Sequence, residues 1–138
     1  MKSTGAMIKT EVALAPVSTT AATVNGIGID MKGFRSCVFT GISGVETGSP
    51  TAYSIAWKVQ ESTDNITFSD ISGATATETG DISTGYGDSE IDIELEQDIT
   101  DYTYRYLRLV ATVSFTGGVA PAITIAGTVS KGEAVNSE

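Results

Sequence analysis

The run Tyr53-Ser54-Ile55-Ala56-Trp57-Lys58-Val59-Gln60-Glu61 alternates large apolar side chains with small or polar ones at every step. Successive side chains of a β-strand point to opposite faces, so Tyr53, Ile55, Trp57 and Val59 share one face. Ser54, Ala56, Lys58 and Gln60 share the other. The first set faces a core with Trp57 as its anchor, and the second faces water.

The same period recurs on both sides of this strand. Downstream, Asp64-Asn65 marks a tight turn into Thr67 to Ile71, which predicts an antiparallel hairpin. Glu90 to Leu95 alternates strictly, with Ile91, Ile93 and Leu95 inward and Glu90, Asp92, Glu94 and Glu96 outward. In Tyr104 to Phe115, the residues Leu107, Leu109, Ala111, Val113 and Phe115 form an apolar row. Gly117-Gly118 then turns the chain into Ala122 to Ser130, whose inward residues are Ile123, Ile125 and Val129. Upstream, Ile8 to Leu14, Thr23 to Met31 and Arg35 to Ile42 complete eight candidate strands. No helix-length segment shows a 3.6-residue period. The fold class expected is all-β, a two-sheet antiparallel β-sandwich of jelly-roll type.

At 138 residues the chain has the size of one domain, and a chain of this length buries roughly two-thirds of its unfolded surface. The expected organisation is an N-terminal arm over residues 1–22, a β-sandwich domain over 23–131 and a C-terminal tail over 132–138. Lys131 to Glu138 reads as solvated. Gly73 to Ser89, rich in Thr, Gly, Asp and Ser, reads as a long exposed loop or an irregular edge. In Asn25-Gly26-Ile27-Gly28-Ile29 the glycines are spaced like part of a dinucleotide loop, but no helix follows, so they read as strand kinks or a bulge.

Composition narrows the function. The formal net charge is −9, so the phosphates of a nucleic acid and anionic lipid headgroups would both be repelled. No apolar run approaches the roughly 20 residues of a membrane helix. The expectation is no direct nucleic-acid partner and no membrane partner. Met1 to Met7 lacks the apolar stretch of a secretory signal, which points to synthesis in a cytoplasm.

The chain has no histidine, and with it go the commonest general base and the commonest zinc ligand. No catalytic residues are assigned, no cofactor is expected, and the protein reads as a non-enzyme. The lone Cys37 reads as a small buried hydrophobe. Asp81, Asp88, Glu90, Asp92, Glu94, Glu96, Asp98 and Asp101 are acidic enough for calcium, but alternation spreads several of them along a strand face. The expectation is a solvated face and no metal.

Tyr102, Tyr104, Tyr106 and Arg108 share the parity opposite to the apolar row. They read as a second-layer Tyr cluster, a subunit contact or a sugar-stacking platform. The candidate interface set is Ile8, Val12 and Leu14 on the arm, with Tyr102, Tyr104, Tyr106 and Arg108.

The segment from Tyr53 through Gln60-Glu61-Ser62, the Asp64-Asn65 turn, Thr67-Phe68-Ser69-Asp70-Ile71 and the later Tyr104-Arg105-Tyr106-Leu107-Arg108-Leu109 resembles tailed-bacteriophage capsid decoration proteins, also called cement or head-stabilisation proteins. The resemblance spans residues 24 to 130. It implies a structural protein on the outer capsid surface of the virion, made in the bacterial host cytoplasm. Its partners would be the major capsid protein and itself, as a homotrimer tying capsid subunits together. The same strand and turn logic also occurs in galactose-binding-like jelly rolls, so the alternative is a carbohydrate-binding jelly-roll module or a phage tail or fibre component.

Overall fold

The structure, a computed structural model, describes residues 8–80, 87–94 and 105–132. These residues form β1 (Lys9–Thr19), β2 (Thr23–Asn25), β3 (Ile29–Asp30), β4 (Ser36–Ser43), β5 (Ala52–Ser62), β6 (Ser69–Gly80), β7 (Gly87–Glu94), β8 (Tyr106–Thr116) and β9 (Ile123–Gly132). Tyr102, Tyr104, Leu95, Asp81, Glu96, Asp98, Asp101 and the tail beyond Gly132 lie outside the described residues.

Every strand pairing among the described residues is antiparallel. β1 pairs with β9, β2 and β3 with β8, β4 with β7, and β5 with β6. With β2 and β3 counted as one interrupted strand, the first pairs with the last and so on inward to the β5–β6 hairpin. The chain is thus one long hairpin rolled up, and rolling it adds the pairs β9 with β4 and β8 with β5. The resulting sheets run β1-β9-β4-β7 and β2-β8-β5-β6, with β3 also on β8. This is the double Greek key of a jelly roll, as expected.

The expected inward rows close on one another. Tyr53, Ile55, Trp57, Val59, Leu107, Leu109, Ala111 and Val113 of one sheet pack against Leu14, Phe39, Ile91, Ile93, Ile123, Ile125 and Val129 of the other. Two glycines fit the sheets together. Gly41 and Gly127 are register partners on β4 and β9. A Cβ on Gly41 would meet the Trp57 ring at 2.5 Å, and one on Gly127 would meet Leu109 Cδ2 at 2.5 Å. Trp57 and Leu109 of one sheet therefore sit over positions without side chains in the other.

The break between β2 and β3 falls at the expected glycines. Gly26 N–H donates to Leu109 O at 2.7 Å and Ile27 N–H to Ala13 O at 3.0 Å, so the chain lies between the sheets here. A side chain at Gly26 would strike the carbonyls of Ala13 and Leu109. The β5–β6 turn is held by Asp64, whose Oδ1 accepts the N–H groups of Ile66 and Thr67 at 2.9 and 2.8 Å, with Asn65 at φ 59°.

Three expectations are corrected. The described part of the stretch read as an arm forms β1, hydrogen-bonded along β9 of the same chain and extending to Thr19. It is an edge strand whose buried side chains are Ala13 and Leu14, so its alternation is weak in the sequence. Of Gly73 to Ser89, read as a long exposed loop or an irregular edge, Gly73 to Gly80 continue β6, an edge strand with a register shift against β5, and Gly87 to Ser89 begin β7, so the edge alternative holds there and the loop does not. The inward residues of β6 here are the small Ala74 and Ala76 and the acidic Glu78, which mask the period. Lys131, read as solvated, ends β9 and is 4% exposed.

Candidate interaction surfaces

Two ends of the sandwich have opposite chemistry. The lower end carries the β5–β6 turn, the start of β1 and the end of β9. The upper end carries loops 44–51 and 117–122, which lock together through Thr47 and Ala122 and through Val119 N–H to Gly48 O at 2.8 Å. Among the described residues every Lys and Arg lies at the lower end or in the lower half of a strand: Lys9, Lys32, Arg35, Lys58, Arg105, Arg108 and Lys131.

At the lower end Lys131 fastens β1 to the body. Its Nζ is 2.9 Å from Glu11 Oε2, donates to Asp30 O at 3.0 Å and sits 4.8 Å from the Phe34 ring centre. The Lys131 hydrogen bond is the main reason the Glu11 carboxyl is held below its ordinary range. Asp30 is held low mainly by Arg105, which donates to its two oxygens at 2.9 and 2.7 Å. Cys37, the register partner of Lys131 on β4, is buried, and burial pushes its thiol up to about 12. It is an inert core residue, matching the sequence reading.

The candidate interface residues separate into two places. Val12 is 53% exposed and Ile8 is also exposed, both on or beside the edge strand β1, whereas Leu14 is 4% exposed and packs in the core. The register shift between Val12 and Leu14 turns Leu14 inward. Tyr106 and Arg108 lie on the outer face of the other sheet, both half-buried. Arg108 donates to Gln60 Oε1 at 2.8 Å and covers the Phe68 ring at 4.1 Å. Gln60 donates in turn to Asp70, which also pairs with Lys58 at 2.9 Å. Arg105 sits 5.2 Å from the Tyr106 ring. This face is thus an intrachain polar network, and Trp57, 1% exposed, offers no stacking surface to a sugar.

The two free edges of the β1-β9-β4-β7 sheet differ. β7 presents exposed Asp88, Glu90 and Asp92, a charged edge that resists pairing with another strand. From Val12 to Thr19, β1 carries no charge, and exposed Val12 and Val17 add apolar surface. Val12, Thr128, Thr40 and Glu90 lie in register across this sheet. Exposed Ile42 stands one row above.

A further cluster, absent from the sequence reading, lies at the upper end. Glu78 on β6 points between the sheets and is 8% exposed. Its Oε1 accepts hydrogen bonds from Ser43 Oγ and from the Tyr53 hydroxyl, the latter at 3.2 Å. Its Oε2 is buried without a partner, as is Oε1 of Glu46 in loop 44–51. The available signal was Thr75-Ala76-Thr77-Glu78-Thr79, an alternation that puts an acid on the inward face.

No protein-family model matches this chain and no curated protein matches it. Solved structures do. The structure of infectious bursal disease virus, strain Gx, is similar with a TM-score of 0.51 at 14% identity, over 90% of this chain and 31% of that one. That structure is viral. Desmodium yellow mottle tymovirus gives a TM-score of 0.43 at 11% identity over 96% of this chain and 89% of that one. The SPBc2 prophage-derived protein YomS gives 0.42 at 15% identity over 89% and 92%. The first of these comparisons supports the jelly-roll architecture, and this chain spans about a third of the length of that viral protein.

Proposed function

We propose that the chain is a non-enzymatic structural protein of a tailed-phage virion, decorating the outer face of the head and bridging major capsid protein subunits as a homotrimer. The observation that carries the reading is the rolled-hairpin topology, shared with a viral structure over 90% of this chain. The resemblance of Tyr53 to Ala74 and of Tyr104 to Leu109 to decoration proteins directs it toward the head. The acidic surface suits a protein that sits outside the capsid, away from DNA.

In this proposal β1 makes the subunit contact. Only Ala13 and Leu14 of its side chains are buried, so its outer row is available to a neighbour. A trimer engaging several capsid subunits would gain avidity from contacts that are individually weak. The test is co-sedimentation with empty heads assembled from the cognate major capsid protein alone. The expected result is saturable pelleting with the heads, weakened at least tenfold by Val12→Asp; a chain left in the supernatant at every concentration overturns the proposal.

A further inference from the structure

Glu78 has one oxygen satisfied and one buried alone, and a buried unpaired carboxylate oxygen is costly. The two hydroxyls beside it, Ser43 and Tyr53, already direct their protons to Oε1. Glu46 Oε1 is also buried without a partner, and carboxylates are acceptors only. Burial raises the Tyr53 phenol above its usual range, and the charges of Glu78 and Glu46 add to that rise, so both acids act on the same hydroxyl. The backbone of β7 closes over the group: a side chain at Gly87 would occupy the place of the Glu78 carboxylate. Among the described residues all Lys and Arg lie in the other half of the molecule. What the cluster lacks is a cation.

We infer that Glu78 and Glu46, with the hydroxyl oxygens of Tyr53 and Ser43, form a site for a hard divalent cation of the calcium class at the upper end of the sandwich. Such ions take oxygen ligands, carboxylates foremost, and complete their shell with water. Among the described residues no three His, Cys, Asp or Glu side chains converge. Two carboxylates make a low-charge site, so the dissociation constant expected is on the order of 10⁻⁴–10⁻³ M. The ion would pin loop 44–51 to β6, closing the edge of the sandwich between β6 and β7. This site is separate from the outward acids Asp88, Glu90 and Asp92, which face solvent on the β7 edge.

The experiment is thermal unfolding of the full chain in calcium chloride against sodium chloride of equal ionic strength, with calorimetric titration of calcium alongside. At 10 mM calcium the wild type should gain about 5 °C over the sodium control. Glu78→Gln should lose that gain, and Glu90→Gln, on the outer face, should keep it. Glu46→Gln lies outside the strands and carries the test if Glu78→Gln fails to fold; it should at least halve the gain. No calcium-specific gain in the wild type, or a gain that both Glu46→Gln and Glu78→Gln retain in full, overturns the inference.

Discussion

The Trp57 indole lies directly over Gly41 on the facing sheet, close enough that a Cβ at Gly41 would meet the ring at 2.5 Å. The two residues fix the spacing of the sheets at the centre of the core. Any side chain at Gly41 must push the ring into a neighbour.

Gly41→Val should therefore destabilise the fold by about 2–3 kcal/mol, the cost of overpacking a closed core. Trp57→Phe alone should also destabilise it by leaving a void. Chemical denaturation of the two single variants and the double variant should show a favourable coupling of about 1 kcal/mol or more, since residues in contact are not additive. Simple additivity would mean the ring and the glycine do not meet.

Glu11 and Lys131 carry a pH dependence. Lys131 holds the Glu11 carboxyl below its unfolded value, so the pair's stabilisation is present above the unfolded carboxylate range, about pH 4. It is lost as pH falls through the lower folded value. Asp30, held low mainly by Arg105, acts in the same direction. Glu11→Gln should cost about 2 kcal/mol at pH 7, because it leaves the buried Lys131 ammonium with no carboxylate partner, only the Asp30 carbonyl and the Phe34 ring, and the difference from wild type should shrink below about pH 4. Urea unfolding at pH 7 and pH 3 measures both numbers.

Cys37 should resist thiol reagents. With the thiol pushed up to about 12 by burial, the folded protein should show almost no modification at pH 8 on a timescale that fully labels it in denaturant. Rapid labelling of the folded chain would place Cys37 at the surface.

Asp64 holds the tip of the rolled hairpin through the N–H groups of Ile66 and Thr67. Asp64→Ala should lower the thermal midpoint, because it removes a side-chain cap from backbone N–H groups. Asn65→Val should lower it at least as much, because a β-branched residue disfavours φ 59°. Asn65→Gly should be tolerated. Thermal midpoints of the three variants check the order.

The fold was legible wherever one face of a strand is apolar and the other polar. Tyr53, Ile55, Trp57 and Val59 gave the inward row of β5, and Ile91 with Ile93 gave that of β7, because burial on one face imposes a period of two. Legibility failed where the inward residues are not large. β6 faces the core with Ala74, Ala76 and Glu78, so its second half resembles a loop, and β1, expected as a strand over Ile8 to Leu14, buries nothing beyond Leu14, so its continuation to Thr19 was not legible. Lys131 could not be read as buried, since its partners Glu11 and Asp30 are distant in sequence. For the same reason the cluster of Ser43, Tyr53 and Glu78 was hidden, as its members come from three strands. Of the interface residues, parity placed Tyr106 and Arg108 on the outer face correctly, but the bulge after Val12 turned Leu14 away from it.

One consequence bears on truncation. Deleting residues 1–20 would remove all of β1, leave β9 paired on its β4 side alone and strip Lys131 of Glu11, so loss of assembly in that variant would report destabilisation as well. A surface substitution on β1 separates the two.

The most direct measurement is therefore the solution mass by light scattering of the full chain and of Val12→Asp, with circular dichroism confirming that both are folded. The account predicts a mass near three times 14.3 kDa for the wild type and 14.3 kDa for the variant. A wild type that stays at 14.3 kDa at every concentration, indistinguishable from Val12→Asp, would contradict assembly through β1.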